Sequence, residues 1–270
     1  MRQYITCFAI ISCLWGHFGL YSEDLNLKRN QIFLGPEWYH AKRTKEGGTK
    51  QQGDLVGIRG GYDRLKRYGW YFGFDAFTAH GTLKGRSALG SKLLSHLTDA
   101  SAEARFGYTF QQKEGWQVAF TPFVGGGYFV EENDFAHPSP IKARFRTHYP
   151  FGSAGFLSSI YPWACVQIGL NFKVRYPFEP KCNVSNDEDN GPVKQTIKER
   201  LQYRGELPIT YRLPRCFCLP CGGAAALSLI PFFEYRDYGG HPNFPFNFVK
   251  TQYSIWGATL ALEYQLYNWK

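Results

Sequence analysis

The chain has 270 residues, of which 44% are hydrophobic and 20% are charged, and basic residues outnumber acidic ones by 31 to 22. This composition excludes a disordered or collagen-like chain, because apolar residues are plentiful and glycine follows no regular period. Aromatic residues reach 18%, against a single methionine, and 29 glycines and 15 prolines accompany them. This combination favours an all-β fold, since aromatic residues favour strands and Gly and Pro bound them.

Residues 1–22 have the form of a secretory signal peptide. Arg2 precedes an uncharged apolar stretch, and Ser22 is a small residue in front of a cleavage site at Glu23. An alternative interpretation is a lipoprotein signal in which Cys13 carries the lipid. With cleavage after Ser22, residues 23–30 form a short N-terminal segment and residues 31–270 form the folded domain.

From about residue 31 onward, apolar and polar side chains alternate with a period of two, which is typical of β-strands. The clearest case is the segment in which Trp70, Phe72 and Phe74 share one face. The alternation predicts ten strands, at about 31–42, 56–62, 70–79, 102–110, 118–124, 148–158, 164–175, 206–211, 227–234 and 256–266.

Five of these predicted strands contain a proline, which cannot donate to a hydrogen-bonded ladder. The five residues are Pro36, Pro122, Pro150, Pro208 and Pro231. We expect β-bulges at such positions, because a bulge tolerates a missing donor and bends the strand.

The connections between the predicted strands alternate between long and short. The long ones fall at about 43–53, 81–99, 131–147, 177–203 and 237–250. Such an alternation is typical of a transmembrane barrel whose two termini lie in the periplasm.

The apolar faces of the predicted strands contain no Asp, Glu, Lys or Arg. A strand face in contact with lipid must be uncharged, because an Arg or Lys at the bilayer midplane destabilises the barrel by about 2–4 kcal/mol. The opposite faces are rich in Gly, Thr, Ser and charged residues, as the lumen of a barrel would be. The sequence thus predicts an all-β, transmembrane, antiparallel up-and-down barrel of about ten strands over residues 31–270. A competing interpretation is a helical membrane protein that uses the charge-free residues 147–172.

The segments Phe123–Tyr128 and Gly169–Phe172, together with the signal peptide and an aromatic final strand that includes Trp269, are similar to those of Gram-negative outer-membrane β-barrel proteins. The cysteine content resembles that of barrels from chlamydia-type bacteria. The resemblance implies a location in the bacterial outer membrane, among its lipid and lipopolysaccharide, and insertion by the barrel assembly machinery. Lys270 departs from that family, which usually ends on an aromatic residue.

The phase of the predicted strands points ten charged side chains into the lumen. They are Arg59, Asp75, Glu103, Arg105, Lys173, Arg175, Glu206, Glu234, Arg236 and Glu263, five basic and five acidic. Since a ten-stranded barrel is only slightly wider than one that side chains can fill, we expect this balanced set to form an ion-paired plug. The function expected is therefore structural, or that of a porin-like channel for small solutes if the same groups line a narrow path.

Five cysteines remain in the exported chain, and the oxidising compartment favours disulfides among them. Cys165, Cys216, Cys218 and Cys221 are candidates for pairing at the periplasmic end. Cys182 falls in a predicted loop on the far side of an apolar band about 25 Å tall, beyond the roughly 7 Å that a disulfide spans between Cα atoms. It is therefore expected to be free, or disulfide-linked to another envelope protein. No metal or cofactor is predicted, because no four ligands occur at zinc-like spacing.

Two further functions are alternatives. The first is adhesion to a host surface through the predicted loops 81–99 and 177–203. The second is an omptin-like protease built on Asp75, His80 and Asp99 at the outer rim, although no motif supports it and a non-enzyme is preferred. Nucleic-acid binding is not expected, because basic residues do not cluster with aromatic ones.

Overall fold

The computed structural model describes residues 29–66, 68–112, 118–163, 165–187, 190–213 and 224–266, and these residues contain strands but no helix. The strands are β1 (Arg29–Lys45), β2 (Lys50–Leu65), β3 (Gly69–Arg86), β4 (Lys92–Gln111), β5 (Val118–Ala136), β6 (Arg144–Trp163), β7 (Val166–Pro177), β8 (Lys181–Ser185), β9 (Val193–Thr196), β10 (Gln202–Glu206), β11 (Ile209–Arg212), β12 (Ala224–Tyr238) and β13 (Thr251–Gln265).

The strands form one closed antiparallel barrel. Each of β1 to β6 pairs with the next strand, β12 pairs with β13, and β13 returns to β1, where Leu262 lies opposite Leu34. β10 and β11 together fill one place between β7 and β12. The barrel therefore has ten strand positions, which confirms the predicted fold. Residues 147–172 lie in β6 and β7, so the helical interpretation is wrong.

No helix among the described residues is long and apolar enough to span a bilayer. The predicted signal peptide and its cleavage site lie outside the described residues, as do Tyr267 to Lys270.

A belt of exposed apolar side chains surrounds the barrel. Val124 in β5 is 62% exposed, and Leu34, Trp70, Phe106 and Leu262 are exposed on other strands in the same way. Exposed apolar area this extensive marks contact with a partner or with a membrane. Because this belt (called here the apolar belt) follows the outward face of every barrel strand, it is suited to contact with hydrocarbon.

Three of the predicted long connections are in fact strand ends joined by short turns. The turns cover residues 46–49, 87–91 and 137–143. The cause is that the apolar and polar side chains exchange faces above the apolar belt. Leu83 and Leu97 point inward and are buried, while Lys84 and His96 face outward. Beyond the lipid, water lies outside the barrel and a packed core lies inside, so the apolar face changes sides. Within 177–203, β8 pairs with the start of β6 on one side and with β9 on the other.

The expectation of a bulge at each proline is wrong at Pro36, Pro122, Pro150 and Pro231. Thr121, Pro122 and Phe123 face three consecutive partners on β6, and β12 keeps its register through Pro231. Successive N–H groups of a strand point to opposite neighbours, so one proline removes one bond from one ladder. The ladder is interrupted instead at Leu207-Pro208, between β10 and β11.

The close approach of β13 to β1 gives a testable prediction at Gly257. A Cβ atom there would lie 2.2 Å from the carbonyl oxygen of Trp38 and 2.5 Å from the Cβ of Tyr39. We expect Gly257→Ala to lower the free energy of unfolding by about 1–3 kcal/mol, because the backbones must separate. Equilibrium unfolding by urea of the protein in lipid vesicles measures this change in free energy. The control is Gly126→Ala, where the nearest atom would be 3.5 Å away; an equal loss there would contradict the prediction.

Candidate functional site: the charged interior

All ten charged residues predicted to face the lumen have their side chains inside the barrel. Nine of them are buried, and Glu206 is partly buried with a side chain that is 10% exposed. The period-two pattern accounts for this placement, since alternate residues of each strand point inward. What the side chains contact there depends on the other strands.

Arg59 on β2 is one centre of the interior. Its Nε donates to Asp75 Oδ2 at 2.9 Å, and its Nη1 donates to Glu206 Oε1 at 2.7 Å. Glu37 on β1 lies 3.7 Å from the same Nη1. One guanidinium therefore joins carboxylates from three other strands.

Glu234 on β12 is a second centre, and three arginines contact its carboxylate. Arg236 Nε lies 2.7 Å from Oε1, Arg204 Nη1 lies 2.9 Å from Oε2, and Arg175 Nη1 lies 3.2 Å from Oε1. Arg236 continues toward the outer end through Asp99, 2.7 Å away. These charge-assisted contacts meet the geometry that a buried ion pair requires.

Arg204 on β10 links the two centres. Besides Glu234, it reaches Glu206 Oε1 at 2.8 Å and Glu37 Oε2 at 3.3 Å. We call the connected set of Arg59, Asp75, Glu37, Glu206, Arg204, Glu234, Arg175, Arg236 and Asp99 the charged network. It crosses the lumen between strands on opposite sides of the barrel.

Further ion pairs and hydrogen bonds fill the space beside the charged network. Lys173 pairs with Glu103, which also accepts a hydrogen bond of 2.6 Å from Ser153. Near the connection between β2 and β3, Arg105 lies 3.5 Å from Asp63. Glu263 contacts hydroxyl groups of β11 and β12.

Seven further charged residues face the interior that were not predicted to do so: Glu37, Arg43, Lys45, Asp63, Asp99, Glu131 and Arg204. The described interior then holds nine carboxylates and eight cationic side chains, close to the predicted balance. The period-two signal could have found Arg204, two residues before Glu206, but the predicted strand began too late. Asp99 and Glu131 were assigned to loops that are strand ends.

An aromatic layer lies on the outer side of the charged network. It consists of Tyr39, Phe129, Tyr149, Tyr238 and Tyr253, all almost fully buried. Its hydroxyl groups bind the carboxylates below, since Tyr39 donates to Asp99 at 2.7 Å and Tyr253 donates to Glu131 at 2.6 Å. The described residues contain no group of three or more His, Cys, Asp or Glu side chains that could hold a metal ion.

The predicted protease residues do not meet. Asp75 and Asp99 are buried in the interior, whereas His80 is exposed on the outward face, where its Nδ1 lies 2.8 Å from the hydroxyl of Thr98. Asp75 and His80 are five positions apart on β3, and an odd spacing places two residues on opposite faces of a strand. The prediction that these three residues form a catalytic site is therefore wrong.

Cys182 lies in β8 rather than in a loop, with its side chain buried beside Thr147. Burial raises the pKa of this thiol to about 11. Pairing with another protein would require β8 to move, since the thiol has no exposed surface. Cys165 is exposed, and neither residue is disulfide-bonded to another described residue. Cys216, Cys218 and Cys221 lie outside the described residues, so the predicted disulfides are untested.

Two solved structures are similar to this barrel over most of its length. The outer-membrane protease OmpT from Escherichia coli matches with a TM-score of 0.52 and 8% identity, covering 89% of this chain and 98% of that one. The transport unit of the autotransporter AIDA-I from Escherichia coli matches with a TM-score of 0.51 and 10% identity, covering 95% and 97%. No protein-family profile and no curated protein matches the sequence.

At such identities the similarity concerns the fold alone, and that fold is the β-barrel of bacterial outer membranes. The apolar belt agrees with it, because every barrel strand presents an uncharged face to the surroundings. The chain thus has the fold of outer-membrane β-barrel proteins. The narrower resemblance to cysteine-bearing chlamydial barrels stays a prediction.

Proposed function

We propose that this protein is a structural outer-membrane barrel whose lumen is closed by its own side chains. The observation that carries the proposal is the charged network, which joins β1, β2, β3, β4, β7, β10 and β12 across the interior. A path for solutes would have to separate these pairs. Removing one partner of a buried pair typically costs about 3–5 kcal/mol, so thermal motion rarely opens such a path.

The cavities on either side of the charged network support the same role. One of about 100 Å³ lies toward the periplasmic end, beside Gln31, Thr121 and Glu263. Another of about 160 Å³ lies at the outer end, beside Arg43 and Phe248. The charged network and the aromatic layer lie between them. A porin-like channel, by contrast, needs a continuous path lined by its selecting groups.

Conductance measurements test the closed lumen. We expect the folded full-length protein in planar lipid bilayers to give no steady conductance steps, and vesicles containing it to exclude glucose. Heat-modifiable migration on gels confirms that the inserted protein is folded.

A porin-like function predicts the opposite result. Steady steps whose preference for cations or anions changes in Arg59→Ser, but not in Arg144→Ser, would overturn the proposal. Arg59 lies at the centre of the lumen, whereas Arg144 faces outward and pairs with Asp134 at 2.8 Å, so it is a matched control.

A further inference from the structure

The outer cavity of about 160 Å³ is enclosed by the outer ends of several strands and by the connection between β12 and β13. It lies above the aromatic layer and so is separate from the charged network. Its wall combines cationic, amide and phenylalanine side chains, and three features of this wall indicate a ligand-binding site.

The first feature is a buried guanidinium that no carboxylate contacts directly, although Glu131 lies in the same wall and the Tyr253 ring centre is 5.7 Å from Cζ of Arg43. Arg43 is 6% exposed, and its side chain has one hydrogen bond in the described structure, from Nη1 to Gln51 Oε1 at 3.3 Å. Its Nε atom has no partner, and no carboxylate among the described residues lies within ion-pair distance. Burying an unpaired charge is costly, so such a group normally has an anion beside it.

Lys45 adds a second cation to the same wall, over the ring of Phe145 at 5.3 Å. Burial, with the nearby charge of Arg43, lowers the pKa of Lys45 to about 7. Glu131 and Cys182 also face Lys45. Glu131 is already engaged, however, because Tyr253 and Tyr238 donate to it at 2.6 and 3.1 Å.

The second feature is Asn133, whose side chain is almost fully buried in the cavity wall. Neither its amide nitrogen nor its amide oxygen has a hydrogen-bond partner in the described structure. Since buried polar atoms in proteins are nearly always paired, this amide is expected to bind polar atoms that enter the cavity.

The third feature is the shape and apolar character of the remaining wall. Phe145, Phe246 and Phe248 supply three rings. A cavity of about 150 Å³ in another protein holds one benzene molecule, so the volume here suits a single ring. An inorganic anion would leave most of this apolar surface uncovered.

We propose that the outer cavity is a binding site for a small planar carboxylate, an aromatic monoacid of the size of benzoate. Its carboxylate pairs with Arg43 and Lys45, its ring packs on the phenylalanines, and Asn133 binds the remaining polar edge. This site is accessible from the outer end and is independent of the closed lumen.

Calorimetric titration of benzoate into the full chain folded in detergent tests the site. We expect a dissociation constant of roughly 1 mM or below, and no measurable binding of toluene or inorganic phosphate, because the site needs both the charge and the ring. Arg43→Met is expected to weaken benzoate binding at least about tenfold, through loss of the charged contact.

The matched control is Lys42→Met, the adjacent cation on the outward face of β1, which should leave binding unchanged. Asn133→Leu is a second variant, should Arg43→Met fail to fold. The absence of benzoate binding to the folded protein overturns the proposal. So does equal binding of toluene or phosphate, or unchanged benzoate binding in a folded Arg43→Met or Asn133→Leu protein.

Discussion

Replacement of Glu234 by leucine is expected to lower the free energy of unfolding by about 3–5 kcal/mol. The carboxylate of Glu234 is contacted by Arg236, Arg204 and Arg175, at 2.7, 2.9 and 3.2 Å. Leucine has a similar volume, so the main effect is electrostatic. Three buried guanidinium groups lose a counter-charge together, and water cannot reach them to replace it.

Urea unfolding of the protein in lipid vesicles, followed by tryptophan fluorescence, measures this change. Glu132→Leu is the matched control, because Glu132 and its partner Arg144 are partly exposed and 3.6 Å apart. Glu132→Leu should lower the free energy of unfolding by less than about 1 kcal/mol, as for other exposed ion pairs. Similar losses for the two variants would show that Glu234 does not hold the lumen together.

Replacement of Val124 by arginine is expected to cost about 2–4 kcal/mol in a lipid bilayer. Val124 lies on the outward face of β5 and is 62% exposed. In a water-soluble protein, a substitution at so exposed a position changes stability by about 0.5 kcal/mol at most. The size of the loss therefore reports whether hydrocarbon or water surrounds the barrel.

The control is Thr82→Arg, on the outward side of β3 but next to Lys84, beyond the apolar belt. Near or outside the interface, an arginine should cost no more than about 1 kcal/mol. Both variants are compared by reversible unfolding from the same vesicles. A loss at Val124 as small as that at Thr82 would contradict the assignment of the apolar belt to the membrane.

The ten strand positions could be predicted because a lipid-facing strand is constrained residue by residue. Trp70, Phe72 and Phe74 must be uncharged on one face, and this constraint is visible without any partner strand. The same reasoning failed at Leu83 and Leu97, where the apolar side chains turn inward above the membrane. The alternation continues there, but whether the apolar face points outward or inward depends on whether lipid or water surrounds that part of the strand.

The contacts inside the barrel could not be predicted in this way. Arg204 meets Glu37 although 167 residues separate them, and Arg59 meets Glu206 across 147. Such pairs depend on the tilt and stagger of the strands, which set the heights of side chains on distant strands.

The sequence by itself determined that this chain forms two-faced strands, with one uncharged face for lipid and charged residues on the other, because alternation is a local property of a strand. Only the tertiary structure decided that Glu234 meets three arginines and that Arg43 is buried with no carboxylate within ion-pair distance. Closure of the barrel brings residues that are distant in sequence to the same level along the barrel axis, and this determines which buried charges are paired.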